Sequence, residues 1–238
     1  MQGVDHVALT GDLVNVGYPP EFPIAAARLR PLGGPQVVSI IPGNHDAYIR
    51  KSLPAMFRQF APFMAGDEPT SEPFPYLRQR GEIALIGVNT GVPTAPFFAT
   101  GTVGKPQRER LASLLAETRR AGLFRIVMIH HPPLRKGVKF GRGLTDARQF
   151  ETILAEQGAE LVLHGHNHRF SLMAARGPHG LIPVLGVGSA SAVPGTPHHL
   201  AEYNLIRIEA GREKPITVER RGLNMQTRNI ETLQWLEA

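Results

Sequence analysis

Leu161-Val162-Leu163-His164-Gly165-His166-Asn167-His168 is the stretch from which the rest of the chain is read. A short apolar, β-prone run stops at a glycine flanked by histidines, as when a buried strand delivers imidazoles to its carboxyl end. In an extended segment residues i and i+2 point the same way, so His166 and His168 reach one locus while Asn167 points elsewhere. Gly165 removes the Cβ where backbone passes close to a bound group. Two imidazoles aimed at one point are either two ligands of a metal or two mutually repelling titratable groups. Taken alone, the stretch also reads as a histidine-rich surface turn.

Other apolar runs repeat the pattern. Val7-Ala8-Leu9-Thr10 reads as a buried strand ending in Gly11-Asp12, and Val37 to Ile41 as another, ending in Pro42-Gly43-Asn44-His45-Asp46. Ile83 to Val88 ends at Asn89-Thr90, and Phe124 to Ile129 ends at His130-His131-Pro132-Pro133. Four strands thus end in metal-ligand residue types: Asp12, Asn44-His45, His130 and His166-x-His168. In open α/β sheets ligands bind outside the carboxyl ends of strands, so these ends are expected to meet in one crevice.

Helical spacing separates the strands. Pro20 to Leu32, with Ile24, Ala27 and Leu29 as the candidate buried face, closes on Gly33-Gly34-Pro35; Leu53 to Met64 is moderately amphipathic. Pro106 to Ala121 is the clearest helix, with Leu111, Leu114, Leu115 and Thr118 on one face and proline in its first turn. Asp146 is placed to cap a helix running to about Leu154. The stretch from Gly91 to Gly104, rich in Gly, Pro, Thr and Phe, has no period of its own and is of a length that often covers a site. Beyond His168 the chain changes character, with strands expected at Phe170 to Met173, Ile182 to Val187, Tyr203 to Ile208 and Ile216 to Arg220, and no helix between them. βα units followed by a β-rich half predict an α/β fold of two packed, mostly mixed sheets flanked by helices, in one domain over 1–238.

Composition narrows the chemistry. The 238 residues, 42% hydrophobic, provide for a sizeable core. The absence of cysteine rules out disulfides, iron–sulfur clusters and thiolate zinc sites, leaving His, Asp, Glu and Asn as metal ligands. No run approaches 18 consecutive apolar residues and no signal-peptide pattern opens the chain, so a cytoplasmic protein with no membrane partner is expected. A net charge of +6 favours anionic partners, but the cations are scattered and aromatics are 7%, which argues against nucleic acid. A homo-oligomer is left open.

Gly11-Asp12, Gly43-Asn44-His45-Asp46, His130-His131-Pro132-Pro133 and Gly165-His166-Asn167-His168, in that order, resemble the serial motifs of the calcineurin-like metallophosphoesterases. The His-His-Pro-Pro form and the length are most similar to the branch of bacterial cyclic-nucleotide phosphodiesterases. The resemblance implies a four-layer αββα sandwich and a two-metal centre for Mn, Fe, Zn or Co. Asp12 would bridge the ions, Asn44, His130 and His166 would complete one, and His168 would serve the other. It further implies hydrolysis of small phosphodiesters by a metal-bound hydroxide, with a broad-specificity phosphomonoesterase as the alternative. His45 would face the phosphate to stabilise charge or protonate the leaving oxygen, with Asp46 orienting it. Asn44, His45 and Arg135, the last in the basic loop 134–142, are candidate substrate contacts. His131 is expected to support the site without ligating. His6, His179, His198 and His199 are expected to be structural or exposed.

One departure matters. The family's first motif, Asp-x-His, belongs a few tens of residues before Gly11-Asp12, and only ten residues precede that glycine. The expectation is a chain shortened at its N-terminus that lacks the first strand and two ligands of one metal. Such a chain could hold one ion, or act as a binding or scaffold protein without catalysis.

Overall fold

The computed structural model describes residues 3–95, 97–136, 141–193, 200–209, 211–212 and 214–238. His198, His199 and residues 137–140 of the basic loop lie outside them. The chain runs β1 (Val7–Leu9), α1 (Glu21–Leu29), β2 (Val38–Ile40), α2 (Ser52–Phe60), β3 (Tyr76–Arg80), β4 (Ile83–Gly87), α3 (Lys105–Arg120), β5 (Phe124–Ile129), α4 (Ala147–Gln157) and β6 (Leu161–His164). It then has only strands among the described residues: β7 (Ser171–Gly177), β8 (Gly180–Gly186), β9 (Glu202–Ile208), β10 (Ile216–Leu223) and β11 (Ile230–Glu237).

A six-stranded sheet has the order β3-β4-β5-β6-β8-β7, in which β4, β5, β6 and β8 run parallel and the two edge strands antiparallel. Its central strands are covered on both faces, which is why they read as unbroken apolar runs. Alternate residues divide between two cores. Leu85, Ile126, Met128, Leu161 and Leu163 face one core, together with Phe22 of α1, Met56 and Phe60 of α2, and Ile216 and Val218 of β10. Ile86, Val127, Ile129 and Val162 face the other, against Leu111 and Leu115 of α3 and Phe150 and Leu154 of α4. The parallel pair β1-β2 and the antiparallel sheet β11-β10-β9 supply the second β layer. The result is a sandwich of two β layers between helices, as expected from the sequence. No helix among the described residues is long and apolar enough to cross a membrane.

Local corrections have physical causes. In α1 the buried residues are Phe22 and Ala25, with Leu29 of the expected stripe partly buried against the same core, while Ile24 and Ala27 are exposed because the helix turns its N-terminal aromatic inward. Asp146 precedes α4 but makes no side-chain cap. Its carboxylate instead accepts the N–H groups of Val103 (3.0 Å) and Gly104 (2.9 Å) at the start of α3 and pairs with Arg108. It therefore favours the N-terminal end of a different helix dipole. The strand feeding the histidine motif stops at His164, and His166 and His168 both lie in the left-handed region, at φ 66° and 52°. They converge through a turn, not through the i, i+2 alternation of an extended segment.

Candidate metal centre

The carboxyl ends of β1, β2, β5 and β6 bring Asp12, Asn44, His130 and His166 together. Asn44 Oδ1 lies 3.0 Å from His130 Nε2 and 2.8 Å from His166 Nδ1; those two nitrogens are 3.3 Å apart. Asp12 Oδ2 is 3.3 Å from His130 Nε2 and 3.8 Å from His168 Nε2. Of these side chains, only that of His168 is half exposed.

The backbone is shaped to make this possible. Asp12 takes φ 58°, turning its side chain back over Gly43, where a Cβ would stand 2.1 Å from Asp12 Oδ1. Only glycine permits that approach. Asp46, fully buried, holds the turn from below: its carboxylate accepts the N–H groups of Asp12 (2.8 Å), Leu13 (2.9 Å), Val14 (3.3 Å) and Gly43 (2.8 Å). The expected bond from Asp46 to the His45 ring is thus replaced by an anchor for the Asp12 loop. The His45 ring bonds instead through Nδ1 to the carbonyl of Asn15, and its main-chain N–H donates to Asp12 Oδ1 at 3.0 Å.

Hydrogen bonding identifies which atoms face the centre. His130 Nδ1 meets the Thr10 carbonyl at 2.6 Å, and a carbonyl can only accept, so Nδ1 carries the proton and Nε2 faces Asp12 and Asn44. Four acceptor-capable atoms then crowd one point, and Asp12 Oδ2 is buried without a hydrogen-bond partner. Such a cluster fits a cation. Titration behaviour follows the same logic. Burial opposes ionisation of Asp12, but the neighbouring His130 and His168 imidazoles outweigh it, and its carboxyl sits well below the usual range. Burial likewise disfavours charge on His130, yet the Asp12 carboxylate raises its pKa. His166 is lowered to about 3, by burial and then by His130, so it stays neutral and free to coordinate. Burial, then the Asp12 charge, pushes Asp46 up to about 6 against the pull of its N–H donors.

His131 joins the cluster more closely than expected. Its ring lies 4.6 Å from that of His166, Nδ1 is 2.7 Å from Thr90 Oγ1, and a ligating atom of each of His130, His131 and His166 lies within 4.8 Å of the others. The predicted covering segment 91–104 packs here as well: a Cβ on Gly101 would stand 2.2 Å from His131 Nδ1. Arg135 points elsewhere, bonding Glu151 of α4 through Nε at 3.0 Å. Asp12 and His168 are not joined by a third His, Asp or Glu in any metal-sized cluster among the described residues. Outside the centre, His6 bonds Ser39 Oγ at 2.7 Å and His179 contacts Arg119.

The sequence pattern of the calcineurin-like phosphoesterases matches residues 2–170. Among solved structures the chain is similar to a dimetal phosphatase from Danio rerio, at 13% identity over 98% of this chain and 84% of that one, with a TM-score of 0.64. A single mutant of Vps29 from Entamoeba histolytica aligns at 13% identity over 100% of this chain and 84% of that one, but its TM-score of 0.39 is too low to establish a shared fold. No curated protein sequence matches the chain.

Proposed function

The chain belongs to the calcineurin-like phosphoesterase family, and from that premise we propose that it is a metal-dependent hydrolase of small phosphodiesters of the cyclic-nucleotide kind. The observation that carries the reading is the convergence of Asp12 Oδ2, Asn44 Oδ1, His130 Nε2 and His166 Nδ1 on one buried point. These four would hold a divalent cation, with His168 reaching Asp12 from the solvent side. Imidazole nitrogens with carboxylate and amide oxygens suit Mn, Fe, Zn or Co. A cation there supplies Lewis-acid polarisation of a phosphoryl oxygen and lowers the pKa of water to about 7.

The chain's own groups do the rest. Asp46 fixes the Asp12 loop through its four N–H bonds. His45, whose Nδ1 donates to the Asn15 carbonyl, keeps Nε2 as the ring nitrogen that would pass a proton to the leaving oxygen. Asn44 Oδ1 and His130 Nε2, two acceptor atoms 3.0 Å apart, would be held together by the shared cation.

Side-by-side assay of a diester and a monoester with added Mn²⁺ tests the proposal. The diester should turn over faster, chelator should abolish the rate, and His130→Ala should lower kcat/KM by roughly 100-fold or more, since even residues supporting a ligand cost 10- to 100-fold. A rate indifferent to chelator and to that substitution sinks metal catalysis. A faster monoester sinks the diester assignment.

A further inference from the structure

Two backbone segments form one wall beside the centre. Ala99 N–H donates to the Gly141 carbonyl at 2.8 Å, Gly101 N–H to the Gly143 carbonyl at 3.1 Å, and Thr145 N–H to the Gly101 carbonyl at 2.8 Å. The wall is fixed to the metal cluster from below, because Gly101 lies against the His131 ring. At the other end of the covering segment, Gly91 packs on the Gly43 carbonyl, where a Cβ would stand 2.6 Å away. Whatever this wall presents at its rim is therefore held in register with Asn44, His130 and His166.

Two side chains at the rim stand out. Arg142 lies between the two tethered glycines 141 and 143 and, like several other exposed arginines, makes no ion pair among the described residues; its distinction is its place on this wall. Its neighbours Gly141 and Gly143 accept from Ala99 and Gly101, and Gly101 lies against the His131 ring, so the Arg142 main chain is held one residue from the tether to the cluster. Phe97 is fully exposed (101%) and takes φ 71°, a conformation that bulky side chains rarely adopt. Phe98 follows it and packs against Gly141, the tether next to Arg142. Exposing a phenyl ring forgoes burial, and that loss is recovered when an apolar group docks on the ring. On the far side of the covering segment, Tyr48 is half exposed and tilts against the His45 ring at 5.5 Å, and its neighbour Ala47 contacts Gly91.

We infer that this rim is the recognition site for the organic group of the substrate: Arg142 grips a phosphoryl oxygen, and Phe97 packs on a planar aromatic substituent. The inference rests on the proposed phosphoesterase reading for its location and adds the class of organic group: one bearing an aryl or heteroaryl ring rather than simple alkyl. An uncommitted guanidinium beside a phosphoryl site is suited to charge-assisted, two-point bonding of its oxygens. An exposed ring adds area and geometric preference for a second ring.

Calorimetric binding of two non-hydrolysable probes to the Mn²⁺-loaded protein tests it without turnover. Phenylphosphonate should bind roughly 5- to 10-fold tighter than methylphosphonate, the scale expected of one aromatic contact. Phe97→Ala should erase that ratio and leave methylphosphonate binding unchanged. Arg142→Ala should weaken both probes by about 10-fold or more, and Arg142→Lys should recover part of the loss. In ester hydrolysis the arginine variants should raise KM more than they lower kcat. Equal affinity for the two probes, no binding of either, or an Arg142→Ala variant with unaltered affinities overturns the inference. If the variants change nothing while chelator-sensitive hydrolysis persists, only the rim assignment fails. If the binding pattern holds but no hydrolysis occurs, the proposed activity fails and the rim assignment stands.

Discussion

Asp12, His166 and His168, all at the centre, carry left-handed backbone at φ 58°, 66° and 52°. Each such residue costs on the order of 1–3 kcal/mol and persists only where its surroundings over-determine it. For Asp12 those surroundings are the four N–H groups gathered by Asp46. Asp46→Asn puts an amide NH₂ against two of those donors and removes the charge that binds the others. It should destabilise the fold by about 3 kcal/mol, given about 1.5–3 kcal/mol per charge-assisted bond, and weaken Mn²⁺ binding in step. Denaturant midpoints and metal titration of the variant check this, and a midpoint within error of the parent's would refute the anchoring role. The ligand types were legible in sequence because they follow apolar runs. The turn geometry was not, since nothing in His-Asn-His marks a left-handed backbone. Nor could spacing show that Arg135 would turn to Glu151.

At the scale of elements, the buried strands were readable because each face of β4, β5 and β6 is covered, which leaves an apolar run with clear ends. β3 and β11 escaped notice for opposite reasons. β3 carries the buried Arg78, which breaks its apolar pattern. β11 is mostly exposed, and a bulge between its pairings with Arg220 and Arg221 shifts its alternation at Leu233. Arg78 explains how β3 holds its neighbours. Its guanidinium donates to the carbonyls of Ala65 (2.7 Å), Pro35 (2.5 Å), Val38 (2.7 Å) and Pro62 (2.7 Å), joining the edge strand to β2 and to the turn after α2. Arg78→Met keeps the length but strands those carbonyls in the interior. Loss of about 3–5 kcal/mol is expected, read from the guanidinium chloride midpoint, because an acceptor left unpaired costs about 1–3 kcal/mol. Arg78→Lys, with three donors and no planar fork, should fall between. A Met variant as stable as the parent would show that solvent reaches these carbonyls.

For the whole molecule, the imidazoles make the metal-free fold acid-sensitive. Burial is the first cause of depression at each of four: His6 and His164 to about 4, His166 to about 3, and His131 well below the ordinary 6.5. A group with a lowered folded-state pKa binds its proton first in the unfolded chain, so its contribution is intact above pH 6.5 and is lost as pH falls through the folded value. His130, raised by Asp12 despite its burial, and Asp46, raised to about 6 by burial, work the other way, but two groups do not offset four. Unfolding free energy of the metal-free protein should therefore fall steadily from pH 6.5 to about 4. The share of His164 can be separated, since it lies in β6, fully buried, with Nδ1 on the Gly165 carbonyl at 3.0 Å. Its fall from 6.5 to about 4 corresponds to about 3 kcal/mol at the acid end of that window. His164→Gln, which cannot titrate, should lose that much less than the parent between pH 7 and pH 4, measured by urea unfolding at each pH in the presence of chelator. Parallel curves for the two proteins would place the acid sensitivity elsewhere, in the carboxylates that hold the Asp12 turn.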